Sequence, residues 1–234
     1  MKIIGLIGGM SWESSLEYYR IINETVKEKL GGFHSARSVM FSVDFGEIEN
    51  LQHAGKWNEA TDIMIDAAWR IERAGAACVL ICSNLMHKMA EDVQGEVKIP
   101  LIHIGDVVGE AIRARGIMNV GLLGSKFTME EDFYKGRLQR KHGIGVLIPD
   151  DRERQFIHKI IYNELCQGLI KKETKVEFIK IIDHLVSRGA QGIILGCTEI
   201  PLLVKQHDCA IPLFDTTTLH ARAAVEFALE QSPV

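Results

Sequence analysis

Ser83 and Cys197 are the two residues of this chain best suited by type and position to exchange protons with a carbon acid. Each follows a short apolar run, Cys78–Ile81 or Gly192–Leu195, and each precedes a small polar residue, Asn84 or Thr198. The two runs are copies of one another. RAGAACVLICSN at 73–84 aligns without a gap on SRGAQGIILGCT at 187–198, an offset of 114 that sets Ser83 opposite Cys197 and Cys82 opposite Gly196. Neighbouring strand residues point to opposite faces, so Ser83 and Cys197 form the symmetric pair and Cys82 points away. A thiol titrates near ~8.5, and helix N-termini or nearby cations can bring it lower. A hydroxyl is a far weaker acid, so Ser83 suits delivery or relay of a proton better than abstraction. Two such groups flanking one carbon are what stereoinversion needs: one removes a proton from one face and the other returns a proton to the opposite face.

Two further segments repeat in the same order. IGLIGG at 4–9 matches VGLLGS at 120–125 at an offset of 116, and IPLIHI at 99–104 matches IPLFDT at 211–216 at an offset of 112. One such match could reflect the sameness of buried strands. Three in order imply a duplicated unit. Strands are expected at Lys2–Ile7, Ser38–Val43, Cys78–Ile81, Leu101–Ile104, Val120–Leu123, Gly145–Ile148, Gly192–Leu195 and Leu213–Phe214. Helical periodicity marks Trp57–Ala74, Glu130–His142, Arg154–Gln167 and Val176–Arg188. Apolar strands alternating with amphipathic helices predict parallel sheet covered on both faces. Thr128-Met-Glu-Glu131 has capping-box spacing, and Thr198-Glu-Ile-Pro201 offers an N-cap followed by a first-turn proline. The expected fold is α/β: two pseudo-symmetric three-layer α/β/α lobes with mostly parallel sheets, 1–105 with 217–234 and 106–216, and an active site in the cleft between them. Ligands in such sheets bind beyond the carboxyl ends of strands. The polar residues gathered at those ends are Ser11 after the first glycine turn, Asp44 and Gln52 after the second strand, Ser83, Asn84 and His87 after the third, and Cys197, Thr198 and Glu199 after its copy.

The formal net charge is −4, with acids and bases interspersed, which predicts neither nucleic acid nor a membrane surface as partner. The five cysteines are odd in number and include no CxxC pair, so neither a disulfide framework nor a structural zinc site is expected. MKIIGLIGGMSW has a short apolar stretch and no small-residue cleavage site, and reads as a buried first strand of a cytoplasmic protein.

Four segments carry a family resemblance: GLIGGMSWES at 5–14, SVDFGEIENLQ at 42–52, CSNLMHK at 82–88 and GCTEIP at 196–201. They resemble the PLP-independent aspartate/glutamate racemases, and among these the bacterial enzymes that prefer L-enantiomers. The similarity continues through DTTTLHA at 215–221. It implies racemisation of aspartate or glutamate by two-base proton transfer in a cleft, with no PLP and no metal, in a homodimer. The family's acid/base positions fall on Ser83 and Cys197, the pair that the repeat picks out. The resemblance gives Cys197 the L-face and leaves Ser83 to deliver the proton from the other side. Most members carry Cys at the position of Ser83, and L-preferring relatives carry Thr. Met10, Gln52, Asn84, Leu85 and Thr198 fall where the family contacts substrate. Leu85 replaces a more usual Thr and so loses a hydroxyl donor. Glu164 is a candidate contact for the substrate amino group.

Other functions fit parts of this pattern. A related decarboxylase or isomerase would need only one cysteine, and a non-catalytic protein that binds an acidic amino acid would tolerate Ser83. The cell-wall glutamate racemases carry an acid in the first glycine loop, where Met10 and Ser11 stand here. Cys78, Cys82, Cys166 and Cys209 are expected to be packing or surface thiols, Trp12 and Trp57 helix-packing aromatics, and Asp215 structural. His87 and His220 are read either as orienting groups or as helix-terminus histidines satisfied by the backbone.

Overall fold

A computed structural model describes residues 1–230. The chain divides into two compact units, Met1–Ile104 with the segment from His220 onward, and Gly105–Leu219. The sequence reading set these divisions at 105/106 and 216/217. The first unit contains β1 (Ile4–Gly8), α1 (Trp12–Leu30), β2 (Ser38–Ser42), α2 (Phe45–His53), α3 (Trp57–Arg73), β3 (Cys78–Ile81), a 3₁₀ turn at Leu85–Met89 and α4 (Ala90–Glu96). The chain crosses to the second unit within α5 (Ile104–Ala114). There follow β4 (Asn119–Gly124), α6 (Lys126–Glu130), α7 (Asp132–His142), β5 (Gly145–Leu147), α8 (Asp151–Asn163), a 3₁₀ turn at Leu165–Gln167, α9 (Lys172–Ser187), β6 (Ile193–Gly196), α10 (Ile200–Leu203), β7 (Leu213–Asp215) and α11 (Thr216–Leu229), in which the chain returns.

Both sheets are parallel, in the orders β2-β1-β3 and β5-β4-β6-β7. The repeat extends to hydrogen-bond register. Gly5 pairs with Val79 as Gly121 pairs with Ile193, and Leu6 pairs with Leu80 as Leu122 pairs with Ile194. Val79 bridges Leu101 as Ile193 pairs with Leu213. The two central-strand glycines share a close approach to a helix, beside contacts with the neighbouring strand at Cys78 and Ile193. A Cβ on Gly5 would meet Ile71 of α3, and a Cβ on Gly121 would meet Leu185 of α9, the equivalent residue at the 114 offset. Each helix therefore packs directly onto strand backbone, and any larger residue would lift it off.

In the first unit, strand alternation separates two cores. Ile7, Val79 and Ile81 face α2, α3 and α4, whereas Ile4, Leu6, Cys78, Leu80 and Cys82 face α1 and α11. That alternation makes the unit three-layered.

Several expectations need correction. Leu101–Ile104 is not a strand: Leu101 makes a single bridge, Pro100 has no N–H to extend it, and Ile104 already begins α5. The helix expected at Glu130–His142 is broken, because Glu131 is extended and serves as N-cap of α7. Thr128 does not cap a helix. Ser125 caps α6 first, accepting the Thr128 N–H at 3.3 Å. Nor does Thr198 cap α10, whose N-cap is Glu199. The helix expected from Arg154 begins earlier, at Asp151, on an Asp150/Glu153 capping box, and ends at Asn163. Trp12 is 65% exposed rather than packed, since the buried face of α1 runs through Ser14, Tyr18, Ile22 and Val26. Among the described residues no helix is long and apolar enough to cross a membrane.

Candidate active site

The structure places Met10 after β1, Gln52 in α2 and Glu164 at the end of α8, with Ser83, Asn84 and Leu85 after β3 in the first unit and Cys197 and Thr198 after β6 in the second. In the first unit, β1 leaves the sheet through Gly9, whose φ of +96° L side chains rarely adopt and whose Cβ would collide with the Val43 carbonyl. The Gly9 N–H donates to Ser15 Oγ at 2.8 Å, and Ser15 Oγ in turn donates to the Ser11 carbonyl at 2.9 Å. Ser11 caps α1. This closed set of bonds fixes Met10, which is buried in the same cluster as Met86.

Ser83, Asn84 and Leu85 form the continuous turn after β3, and all three are buried. Ser83 Oγ accepts the Met86 N–H in a long bond of 3.4 Å, and so keeps its own proton to donate. The Ser83 carbonyl accepts from His87 Nδ1 at 2.7 Å. Gln52 is buried beside this turn with its side-chain nitrogen 3.1 Å from Met86 Sδ. Asp44 is occupied as N-cap of α2. Cys82 lies in the α1/α11 core, where burial pushes its thiol far above the usual range.

In the second unit, Cys197, Thr198 and Glu199 follow β6. Cys197 Sγ donates to Glu199 Oε2 at 3.0 Å, and Thr198 Oγ1 donates to the same oxygen at 2.8 Å. Burial first, then the Glu199 carboxylate, then Cys166, hold the Cys197 thiol well above its ordinary value. This departs from the expectation that helix N-termini lower it. The following helix, α10, has only four residues, and the sulfur's hydrogen bond goes to the Glu199 carboxylate. The resting group is therefore a thiol hydrogen-bonded to a base. Cys197 is also partly accessible, whereas Glu199 is buried.

Glu164 caps the C-terminal end of α8, ahead of the 3₁₀ turn that packs on α10. Hydrogen bonds from Lys171 at 2.9 Å and Thr174 at 2.8 Å hold its carboxyl below the usual range. Asp215 is structural, accepting the Thr217 and Thr218 N–H groups at the start of α11. Trp57 packs on the first unit's core with Lys88 Nζ 4.0 Å from its ring centre.

Sequence reasoning noted Glu199 only as a strand-end polar residue. Its spacing, two residues after the cysteine across a turn, was the available signal. No metal-ligand spacing was seen either, yet Asp150, Glu153 and His184 lie close enough to hold an ion. His184 comes from another helix, and both carboxylates already serve the α8 capping box.

The Asp/Glu/hydantoin racemase family model matches residues 7–224. A candidate Asp/Glu racemase from Yersinia pestis is 50% identical, with 98% of this chain and 100% of that chain covered and a TM-score of 0.92. An aspartate racemase homologue from Pyrococcus horikoshii is 38% identical, with 98% and 100% covered and a TM-score of 0.86. The broad specificity amino-acid racemase RacX of Bacillus subtilis is 23% identical over 170 residues, 72% of each chain. Matched along nearly its whole length, the chain belongs to the Asp/Glu/hydantoin racemase family.

Proposed function

We propose that this amino-acid racemase inverts aspartate or glutamate by two-base proton transfer, with Cys197 acting on the L-face and Ser83 on the opposite face of one α-carbon. The observation that carries the reading is the Cys197–Glu199 hydrogen bond, at the strand end that the repeat pairs with Ser83. A thiol held above its usual range is a poor base until its proton has somewhere to go, and Glu199 Oε2 is 3.0 Å away. In this reading the thiol gives its proton to Glu199, and the thiolate so formed takes the α-proton of the L-substrate. The Ser83 hydroxyl gives its proton to the other face and takes one back from water, while Glu199 returns its proton to solvent. Backbone N–H groups at the turns after β3 and β6 are suited to hold the substrate carboxylate and the enolate-like charge. Met10, Gln52, Asn84, Leu85 and Thr198 complete the proposed substrate contacts, with Glu164 toward the amino group. The names of the Yersinia and Pyrococcus relatives favour acidic substrates.

Because enantiomers have equal free energies, kcat/KM must be the same in both directions. A preference for the L-form then lies in kcat and KM separately. The test is incubation with L-aspartate or L-glutamate in D₂O, following loss of the α-proton signal by NMR and appearance of the D-form by polarimetry, with EDTA and hydroxylamine controls. Exchange that survives both reagents and vanishes in Cys197→Ala is the expected result. Exchange that persists in Cys197→Ala rejects the assignment.

A further inference from the structure

Three buried histidines lie together in the first unit, and the proposed proton transfers use none of them. The rings of His87 and His103 are 4.7 Å apart at 62°, and those of His87 and His220 are 5.5 Å apart at 64°. Their hydrogen bonds fix where the protons sit. His87 Nε2 faces the Ile104 N–H at 3.2 Å, so it must accept, and the ring proton resides on Nδ1, which donates to the Ser83 carbonyl at 2.7 Å. His220 has the opposite tautomer. Its Nε2 faces the Ile102 carbonyl at 2.6 Å and must donate, while its Nδ1 takes the Tyr18 hydroxyl proton at 2.8 Å. The His87 ring is thus a strut between the turn after β3 and the first residue of α5. His220 braces it from α11, and Tyr18 braces His220 from α1.

What this strut holds is the peptide plane of Ser83. The Ser83 hydroxyl has only the long contact from the Met86 N–H to orient it, so its position follows from its backbone. We propose that neutral His87, in its Nδ1–H form, is a positioning residue for Ser83: by gripping the Ser83 carbonyl it sets the hydroxyl at the geometry needed to protonate the second face of the substrate. The proposal rests on the assignment of Ser83 to that face. It further requires that His87 leave the Cys197 step alone.

The experiment compares two rates in the same D₂O incubation with L-glutamate and L-aspartate: α-proton exchange, which reads the Cys197 step, and inversion, which needs Ser83 as well. His87→Phe keeps a ring but has no donor, and should lower inversion about 10- to 100-fold while exchange stays within a few-fold, since small displacements of a reacting group carry penalties of that size. His87→Asn retains an N–H near the Nδ1 position and should recover most of the inversion rate. Ring ¹⁵N shifts of the parent should show His87 protonated on Nδ1. An unchanged inversion-to-exchange ratio in His87→Phe, a parallel loss of both rates, no recovery in His87→Asn, or a proton on Nε2 would each overturn the proposal. Ser83→Ala separates the two assignments. If it leaves inversion unchanged, Ser83 itself is wrongly assigned, whatever the His87 variants do. If His87→Phe does not fold, His87→Asn and the tautomer measurement still decide.

Discussion

The turns after β3 and β6 occupy the same position in a duplicated unit, yet they hold Ser83 and Cys197 by different means. After β6 the side chain is gripped: the Cys197 thiol donates to Glu199 Oε2, which also takes the Thr198 hydroxyl. After β3 the backbone is gripped: His87 holds the Ser83 carbonyl and the hydroxyl has a single long contact. A duplicated strand end can therefore keep its register, which packing enforces, while its chemistry diverges. The β6 end is built to change the proton affinity of its group. Under the proposed assignment, the β3 end instead aims its group through the backbone.

The strongest way to break this contrast is to make the two ends chemically alike. Cys197→Ser leaves only hydroxyls, and should reduce α-proton exchange from either enantiomer by about 10²–10⁴-fold, the usual cost of losing a good general base. Glu199→Gln should follow, with a loss of about 10²-fold at the lower end of the same range. That variant has a second, opposite signature. The carboxylate raises the thiol's proton affinity, so its removal lets Cys197 ionise at lower pH, and alkylation by iodoacetamide near neutrality should become faster while turnover becomes slower. Alkylation that slows together with turnover would show that Glu199 activates the thiol at rest, contrary to the resting geometry.

At the β3 end, Ser83→Ala should leave exchange of L-substrate through Cys197 within a few-fold of the parent and slow inversion by at least about tenfold. Ser83→Cys should instead raise turnover from the D-enantiomer, since a second thiol can abstract where a hydroxyl only delivers. Equal inversion rates in the parent and Ser83→Ala would assign the second face to water or to another residue, and the contrast between the two ends would lose its functional meaning.

The fold was legible because the chain repeats itself in sequence at strands whose register the repeat then dictates. Gly5 and Gly121 sit under Ile71 and Leu185 at the offsets that aligning the two halves requires. Boundaries were less legible where a cap outside the expected Ser/Thr pattern acts, as at Asp150/Glu153, or where one bridge mimics a strand, as at Leu101. Of the proposed site, Ser83 and Cys197 are singled out by their place in the repeat. Their partners are not, for two different reasons. Glu199 is adjacent in sequence, but a carboxylate two residues from a thiol points toward it only once the turn after β6 is known. His87, Tyr18, Ile102 and His220 meet only through tertiary packing, with 202 residues separating Tyr18 from His220.

The histidine brace should also leave a trace in stability. Burial lowers the His220 pKa from 6.5 to about 4 in the folded chain. Below pH 6.5 the unfolded chain takes up a proton on this imidazole that the folded chain refuses, so stability is fully present above that pH and is lost progressively as pH falls toward 4. The full contribution is about 3 kcal/mol, from roughly 1.4 kcal/mol per unit. His220→Gln cannot titrate there, and its urea midpoint should fall less steeply than the parent's between pH 6.5 and 4. Parallel slopes would mean that His220 is not held neutral by burial in the folded chain. Other acid-sensitive groups, such as Asp106 beneath Arg137 and Lys141, are common to both proteins and cancel in the difference.

The smallest expected effect tests whether the two ends differ only in their reactive groups or also in the loops leading to them. In the second unit β4 passes straight into a helix through Ser125, which directly follows the last strand residue, Gly124, and caps α6. In the first unit Gly9 and Met10 intervene between Gly8 and the capping Ser11. Ser125 Oγ contacts the Thr128 N–H and hydroxyl and no proposed substrate group, so Ser125→Ala should cost about 1 kcal/mol of stability, as lost caps commonly do, with exchange and inversion unchanged. Ser15→Ala should cost a similar amount, but the Ser15 hydroxyl closes the bonded set around Gly9 that fixes Met10, accepting the Gly9 N–H and donating to the Ser11 carbonyl. Loosening that set should raise KM for the acidic substrate as well, with kcat changed less. A KM that rises equally in both variants would show that general destabilisation explains the effect, and the two extra residues of the first glycine turn would then have no role in binding.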